Sequence, residues 1–394
     1  MYKKKSVKYS LIISGIVLII FVGMIWIIRP YFQSKDKRSS EGVFPGLIAK
    51  KSERKTERDE PKRMPVYGNW RNFTTKDGLP GDKAYCVRMD GDRVLVGTHE
   101  GMAVYENDKW TTYTTKDGLG HNGVLSIDVS KETGDVWIGT LSGLTRWSAG
   151  KFYTFTQFNS GLANDLVYCV ICDGKDVWVA TGGGAGSYDT HTEKWGIYTE
   201  RNAPMHEPWT YSVCAGEGKI YIAAWGGGVI EYNKKTQEFR DYVDPDQNME
   251  IDLLPNDGPV HDITTGVSYA EGILWVSTYF GLSRYDGEHW FGYFDHDSGL
   301  SSNFINFLRA VGHVGYVCSD NGFSTFNGET WVSYKKNDNS TDGKAIVTKG
   351  SEVYEIPLSP SIAHNFIIGV DAKDDIVWIA TSKGVSRGEI IKTL

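Results

Sequence analysis

The sequence predicts an all-β fold, a seven-bladed β-propeller, from a repeated glycine register, a spacing near 40 residues and a composition rich in glycine and aromatic residues. In each repeat a glycine follows a small residue by four positions, and a bulky residue precedes that small residue by two. The glycines are Gly101, Gly143, Gly184, Gly227, Gly281, Gly322 and Gly384; the small residues are Gly97, Gly139, Ala180, Ala223, Ser277, Cys318 and Ala380; the bulky residues are Leu95, Trp137, Trp178, Tyr221, Trp275, Tyr316 and Trp378. Successive units lie 42, 41, 43, 54, 41 and 62 residues apart.

The second repeat shows how one unit is expected to form four strands. We predict an inner strand from Val124 to Val129, a second from Val136 to Thr140, a third from Leu144 to Trp147 and an outer one from Lys151 to Phe155. Gly143 lies in the hairpin between the second and third strands, where glycine adopts a positive φ at little cost. Four strands make one blade.

The last blade is expected to take its outer strand from the start of the repeat region. Six repeats carry an aromatic residue in the outer strand, namely Trp110, Phe152, Trp195, Phe239, Trp290 and Trp331. The seventh repeat ends soon after Arg387, whereas Trp70 to Phe73 supplies a matching strand near the N-terminus. We therefore predict that this strand closes the ring and hides the exposed sheet edges of an open array.

The N-terminal region predicts a membrane anchor. Ser10 to Ile28 is an apolar run without charge that would rise about 28 Å as a helix, and four lysines precede it. We predict a cytoplasmic tail at 1–9, an uncleaved transmembrane signal anchor at 10–28, a flexible stalk at 29–65 and the propeller at 66–394. The protein would then be a single-pass membrane protein with its propeller in the periplasm or outside the cell.

The charge and the cysteine content argue against nucleic-acid partners and against a metal site. Residues 66–394 carry 27 Lys or Arg and 43 Asp or Glu, a net charge of −16, which makes nucleic acid an unfavourable partner. The five cysteines lack a metal-ligand spacing and are interpreted as small core residues. We predict no metal and no cofactor.

Two segments carry a resemblance to a known family. The run from Asp117 to Ile127 and the run from Asp135 to Arg146 resemble the two-component regulator propeller repeat, whose pattern is roughly Gly-Leu-x-x-Asn-x-Val followed by Trp-Ile-Gly-Thr-x-x-Gly-Leu. The resemblance covers about residues 70–388 and implies a propeller with a ligand-sensing role outside the cytoplasm. No pattern of a kinase or regulator domain accompanies it in these 394 residues, so we expect a lone propeller.

Aligned entry loops predict a polar ring at one mouth of the channel. The residue pairs that precede the inner strands are Gly81-Asp82, His121-Asn122, Asn164-Asp165, His206-Glu207, His261-Asp262, Ser302-Asn303 and His364-Asn365. We predict ligand-binding roles for His121, His206, His261, His364 and Asn164. The alternative interpretation is that these side chains only satisfy backbone groups of their own turns.

The hairpins between second and third strands are expected on the same face. They add Trp225 and Tyr279 to the predicted ligand-binding set, and Trp209 follows the entry loop of the fourth blade. Two longer connections, near 243–260 and 335–362, are also expected to project from this face, the second with an extra hairpin around Ala345 to Glu355.

These observations predict a membrane-anchored propeller that binds a small molecule, a glycan or a protein at its mouth, with a sensory or regulatory role. No catalytic motif is present, and no catalytic residue is assigned. One alternative is a lyase-type propeller enzyme that uses a mouth histidine as base. The other is a structural scaffold of an envelope complex.

Overall fold

The computed structural model describes residues 63–243 and 258–394, and within them thirty strands form seven antiparallel sheets arranged as propeller blades. The predicted tail at 1–9, the anchor at 10–28 and residues 29–62 of the stalk lie outside the described residues. Among the described residues, no helix has the length and hydropathy that a membrane span requires.

The strands follow each other in chain order through the blades. The first strand, β1 (Pro65–Phe73), belongs to blade 7. Blades 1 to 3 comprise β2 (Ala84–Asp90), β3 (Arg93–Thr98), β4 (Met102–Glu106), β5 (Lys109–Tyr113), β6 (Val124–Val129), β7 (Val136–Thr140), β8 (Gly143–Ser148), β9 (Lys151–Phe155), β10 (Val167–Asp173), β11 (Asp176–Thr181), β12 (Gly184–Asp189) and β13 (Lys194–Tyr198). Blades 4 and 5 comprise β14 (Thr210–Gly216), β15 (Lys219–Ala224), β16 (Gly228–Asn233), β17 (Phe239–Tyr242), β18 (Thr264–Ala270), β19 (Ile273–Thr278), β20 (Gly281–Tyr285) and β21 (Trp290–Tyr293). Blades 6 and 7 comprise β22 (Ile305–Val311), β23 (Val314–Ser319), β24 (Gly322–Phe326), β25 (Thr330–Lys336), β26 (Gly343–Lys349), β27 (Glu352–Leu358), β28 (Ile367–Lys373), β29 (Ile376–Thr381) and β30 (Gly384–Thr393).

The N-terminal strand closes the last blade, as predicted. Sheet order in blade 7 is β1-β30-β29-β28, and β1 pairs antiparallel with β30. Backbone bonds between Met64 and Leu394 extend this pairing at 3.1 and 2.9 Å. Tyr67, Trp70 and Phe73 are buried, so β1 contributes core as well as an edge.

The predicted bulky column fills the space between blades. Leu95, Trp137, Trp178, Tyr221, Trp275, Tyr316 and Trp378 are all buried, each in a cluster with residues of the next blade. Trp275 of blade 5, for example, packs with Leu308 and Phe326 of blade 6. Burying such rings is among the larger favourable terms in a core.

The glycine register is confirmed in six blades and is shifted by one residue in blade 4. Gly143 has a φ of +107°, and a Cβ added there would lie 2.6 Å from the carbonyl oxygen of Phe155, so glycine is required. The prediction of Gly227 as the hairpin glycine of blade 4 was wrong. This hairpin is one residue longer than those of the other blades, and Gly228 pairs with Ala224 at the start of β16. The longer hairpin places Trp225 in the turn.

Blade 6 carries the predicted extra hairpin, but its direction differs from the expectation. Strands β26 and β27 add to the outer edge of the sheet, and their connecting turn lies at Gly350, at the end of the blade opposite to Gly343. The hairpin therefore extends the sheet rather than projecting from the mouth, because pairing with β25 satisfies its backbone groups. The other long connection lies mostly outside the described residues, which omit 244–257.

Candidate functional site

Entry loops and hairpins form one hydrogen-bonded face of the propeller, which we call the mouth. In every blade an N–H of the hairpin between the second and third strands donates to a carbonyl of that blade's entry segment, at 2.8 to 3.4 Å. The donors are His99, Leu141, Gly182, Trp225, Tyr279, Asp320 and Ser382. The predicted gathering of these segments on one face is therefore present.

Bonds between blades also run along the mouth. The N–H of Gly143 donates to the Asp165 carbonyl of the next blade at 2.6 Å, and the N–H of Gly384 donates to the Asp82 carbonyl at 2.6 Å across the closure of the ring. The hairpin glycines thus position the entry loop of the following blade.

In five of the seven polar pairs the second residue holds the incoming loop. Side-chain oxygens of Asp82, Asn122, Asp165, Asn303 and Asn365 accept a backbone N–H from the preceding connection at 2.7 to 2.9 Å. These bonds stabilise the loop that leads from one blade to the next.

The first residue of the pair accepts a backbone bond from its own turn. Nδ1 of His121, His261 and His364 accepts the N–H two residues further on, at 2.8, 2.9 and 2.9 Å. Asn164 makes the same bond through Oδ1 to the N–H of Leu166 at 2.9 Å. His206 is exposed beside the hairpin of blade 4, where a Cβ on Gly227 would lie 3.8 Å from its backbone nitrogen.

This geometry fixes the tautomer of the three capping histidines. Because Nδ1 accepts a hydrogen bond, the proton of the neutral ring resides on Nε2, which is then a donor. Burial lowers the pKa of His121, and burial together with the charges of Lys383 and Lys336 lowers the pKa of His364. At neutral pH these two rings are neutral hydrogen-bond donors, a state suited to holding a ligand rather than removing a proton.

A β-bulge recurs near the start of each inner strand. The pairing shifts after the first residue in all seven, leaving the second residue outside the ladder. These second residues are Tyr85, Leu125, Tyr168, Tyr211, Thr265, Asn306 and Ile368. Three of them are tyrosines, and burial raises the pKa of Tyr85 and Tyr168 to about 12.

Half-buried aromatic side chains from blades 3 to 6 form a continuous row at the mouth, which we call the aromatic arc. Its members are Tyr168, Trp209, Tyr211, Trp225, Tyr279 and Phe304. Trp209 stacks on Tyr211 with ring centroids 6.1 Å apart, and Tyr211 lies 5.6 Å from Trp225. Trp225 meets Tyr279 edge to face at 5.6 Å, and Tyr279 lies 5.7 Å from Phe304.

The arc brings together some of the predicted residues but not all. Trp209, Trp225 and Tyr279 are members, and His261 reaches the arc through Phe280, on which it stacks at 4.1 Å. His121 and His364 lie on blades 2 and 7, outside the arc. The predicted histidine ring is thus divided among separate turns.

Sequence reasoning missed Tyr168, Tyr211 and Phe304. The signal for the two tyrosines was an aromatic residue directly after the first residue of the inner strand, in blades 3 and 4. Aligning that column would have identified them, although the bulge that frees them from the ladder has no sequence signature.

A charged cluster lies deeper in the inner strands. Arg88 of blade 1 bonds Asp128 of blade 2 at 2.6 Å and lies 3.7 Å from Asp371 of blade 7, which also pairs with Arg309 of blade 6 at 2.7 Å. Burial raises the pKa of both carboxyls, and the Arg88 charge opposes that rise. The cluster links four successive blades.

The described residues contain no group of three or more His, Cys, Asp or Glu side chains placed to hold a metal ion. All five cysteines are free thiols, and burial raises the pKa of each. These thiols are core side chains, as predicted.

Comparison with solved structures shows the same fold in other proteins. The extracellular domain of BT3049 from B. thetaiotaomicron, a protein assigned to the hybrid two-component systems, matches with a TM-score of 0.63 and 16% identity, over 82% of this chain and 42% of that one. The corresponding domain of BT4673 matches with a TM-score of 0.58 and 16% identity, over 82% and 40%. The chain therefore spans about two-fifths of the length of these domains.

A catalytically inactive virginiamycin B lyase from Staphylococcus aureus, in a structure with quinupristin, matches with a TM-score of 0.58 and 13% identity, over 84% of this chain and 100% of the lyase. No protein-family model matches this sequence, and no curated protein matches it either. Identities this low show a shared propeller fold.

Proposed function

We propose that this protein is a membrane-anchored propeller that binds a carbohydrate outside the cytoplasm and serves a sensory or regulatory role. The aromatic arc is the observation that carries this proposal. Residues 10–28 would form the anchor and residues 29–62 the stalk, which is shorter than the predicted 29–65 because Met64 and Pro65 belong to blade 7.

The arc suits a ligand made of pyranose rings. Such a ring has an apolar C–H face that packs on indole and phenol rings, and hydroxyls at its rim that need donors and acceptors. The arc consists of six aromatic side chains, joined by five ring–ring contacts, across blades 3 to 6. Asn164 lies on blade 3, as Tyr168 does, beside the hairpin of that blade, with its amide nitrogen 3.3 Å from where a Cβ on Gly183 would lie.

Two further observations support a sensory role outside the cytoplasm. Two solved structures with this fold are extracellular domains of proteins assigned to two-component systems. The apolar run at 10–28, preceded by lysines, would place the propeller on the outer side of the membrane.

The capping geometry argues against His121 and His364 as the base of the lyase alternative. Neutral His121 and His364 carry their proton on Nε2, so neither has a basic Nε2 with which to abstract a proton. If the protein is only a structural scaffold, the arc has no ligand. The titration described below tests this alternative as well.

Calorimetric titration of the full-length protein in detergent, against a panel of neutral and acidic oligosaccharides, tests the proposal. We expect at least one member to bind, and Trp225→Ala to weaken that binding by at least about tenfold, which is about 1.4 kcal/mol. Tyr153→Ala removes an aromatic residue that is 53% exposed on blade 2 and should leave affinity unchanged. No binding across the panel, or equal losses in both variants, would reject the carbohydrate site.

A further inference from the structure

We infer that the carbohydrate carries an anionic group, a uronate carboxylate or a sulfate ester, and that Lys83, Lys336 and Lys383 bind it. This inference rests on the proposed function and adds the charge of the ligand to it. The three lysines lie at the mouth on blades 1, 6 and 7, and the aromatic arc has no member on blades 7 and 1.

Lys336 and Lys383 are held on either side of the entry loop of blade 7. The Asn365 side chain accepts the N–H of Lys336 at 2.7 Å and donates to its carbonyl at 2.9 Å. The adjacent His364 lies 2.8 Å from the hydroxyl of Ser382, which precedes Lys383. The charges of both lysines reach the imidazole, since both lower the pKa of His364.

Lys83 adjoins Lys383 through the bond that closes the ring. The N–H of Gly384 donates to the carbonyl of Asp82, so residues next to both lysines are in direct contact. The Lys83 ammonium lies 5.4 Å from the centre of the Tyr85 ring, and burial lowers the pKa of Lys83. A half-buried ammonium gains more from an anion than an exposed one does.

Within residues 63–243 and 258–394, none of these three ammonium groups has a carboxylate within 4.0 Å. Four other lysines do form ion pairs, namely Lys175, Lys219, Lys234 and Lys344. Asp82 is the nearest carboxylate in sequence, and its Oδ1 accepts the N–H of Thr75 at 2.7 Å. These three cations lie beside the entry loops of blades 7 and 1, and cations gathered at one place on an otherwise acidic domain favour an anionic ligand.

The two parts of the mouth thus require different features of one ligand. The aromatic arc takes the C–H faces of sugar rings, and the lysines take a charge on the same chain. An acidic oligosaccharide combines both, whereas a neutral one leaves the lysines without a partner.

Oligogalacturonate of about six units and its methyl ester provide a matched test, because they share the sugar backbone and differ in charge. A sulfated hexasaccharide of the carrageenan type, which carries no carboxylate, distinguishes sulfate from carboxylate. We titrate each into the full-length protein in detergent at 50 and 300 mM NaCl. The variants are Lys83→Gln/Lys336→Gln/Lys383→Gln and, as control, Lys373→Gln, which changes an exposed lysine at the opposite end of β28.

We expect at least one acidic ligand to bind at least about tenfold more tightly than the methyl ester at 50 mM NaCl, with the advantage reduced at 300 mM. The triple variant should lose that advantage and the control should keep it. Equal binding of acid and ester, or an advantage that survives in the triple variant, overturns the anionic site. Binding of the ester that depends on Trp225 would at the same time leave the proposed function intact, whereas absence of all Trp225-dependent binding would count against both.

Discussion

At the scale of single residues, the mouth histidines act first as structural acceptors. His121 and His364 receive a backbone N–H from their own turns, and Ser382 adds a hydroxyl beside Nδ1 of His364. Protonation of Nδ1 would remove the acceptor and break the turn bond. The stability of the fold is therefore linked to pH through these two rings.

Stability should fall as the pH drops below about 6.5, the ordinary histidine value. Both histidines have a lowered pKa in the folded state, so the unfolded chain binds more protons in this window. Replacing both with asparagine should keep the turn bond, as Asn164 does, and should reduce the loss of melting temperature between pH 7.5 and 5.5.

Calorimetric melting at several pH values measures this effect, with His296→Asn at an exposed position as control. An unchanged pH profile in the double variant would show that the two rings do not titrate as described.

At the scale of elements, β1 is the strand on which the ring depends. It pairs with β30 over most of its length, and the hydroxyl of Tyr67 bonds that of Tyr316 in blade 6 at 2.9 Å. The hydroxyl oxygen of Tyr334, in the same blade, accepts a hydrogen bond from the backbone N–H of Tyr67 at 2.9 Å. One strand thus joins the first and last parts of the chain to blade 6.

Deleting residues 66–75 should abolish the cooperative melting transition, because it removes the outer strand of blade 7 and the buried Trp70 and Phe73. A chain that begins at residue 62 keeps β1 and should melt like the full-length protein. Thermal unfolding of both forms is followed by circular dichroism. An unaltered transition after the deletion would contradict the role of β1 in closing the ring.

The blade architecture was predictable because its constraints act locally on the chain. Gly143 needs a positive φ and close contact with Phe155, and Trp137 fills a space that recurs in each blade, so both positions repeat in the sequence. The shift to Gly228 was not predictable, since one extra hairpin residue changes the pairing without changing the pattern. The aromatic arc was only partly predictable, because bulges take Tyr168 and Tyr211 out of the strand ladder and the packing of successive blades brings residues 168 to 304 into one row.

At the scale of the whole molecule, the charged cluster joins blades that are distant in sequence. Arg88, Asp128 and Asp371 have side chains that are 17, 9 and 5% exposed, so their charges are compensated mainly by each other. Backbone N–H groups of Cys172 and Met89 also bond the two carboxylates, at 2.7 and 2.8 Å. The cluster fixes blade 1 between blades 7 and 2.

Arg88→Met should lower the free energy of unfolding by about 3–5 kcal/mol, because it leaves the buried Asp128 without its cation, whereas Asp371 keeps Arg309. The deficit should shrink as the pH falls, since protonation of Asp128 relieves it. Arg71→Met removes an exposed pair with Asp108 and should change the free energy of unfolding far less. Urea unfolding at pH 7 and 5 compares the variants; equal effects would show that the cluster contributes no more than a surface pair.

The central claim is that blades 3 to 6 together bind a sugar chain on the aromatic arc. A crystal structure of the protein with the tightest-binding oligosaccharide of the panel tests it most directly. We expect sugar rings stacked on Tyr211, Trp225 and Tyr279 at the mouth. Sugar density confined to the outer groove of about 460 Å³ between blades 2 and 3, which Tyr153 and Arg146 line, would contradict the account.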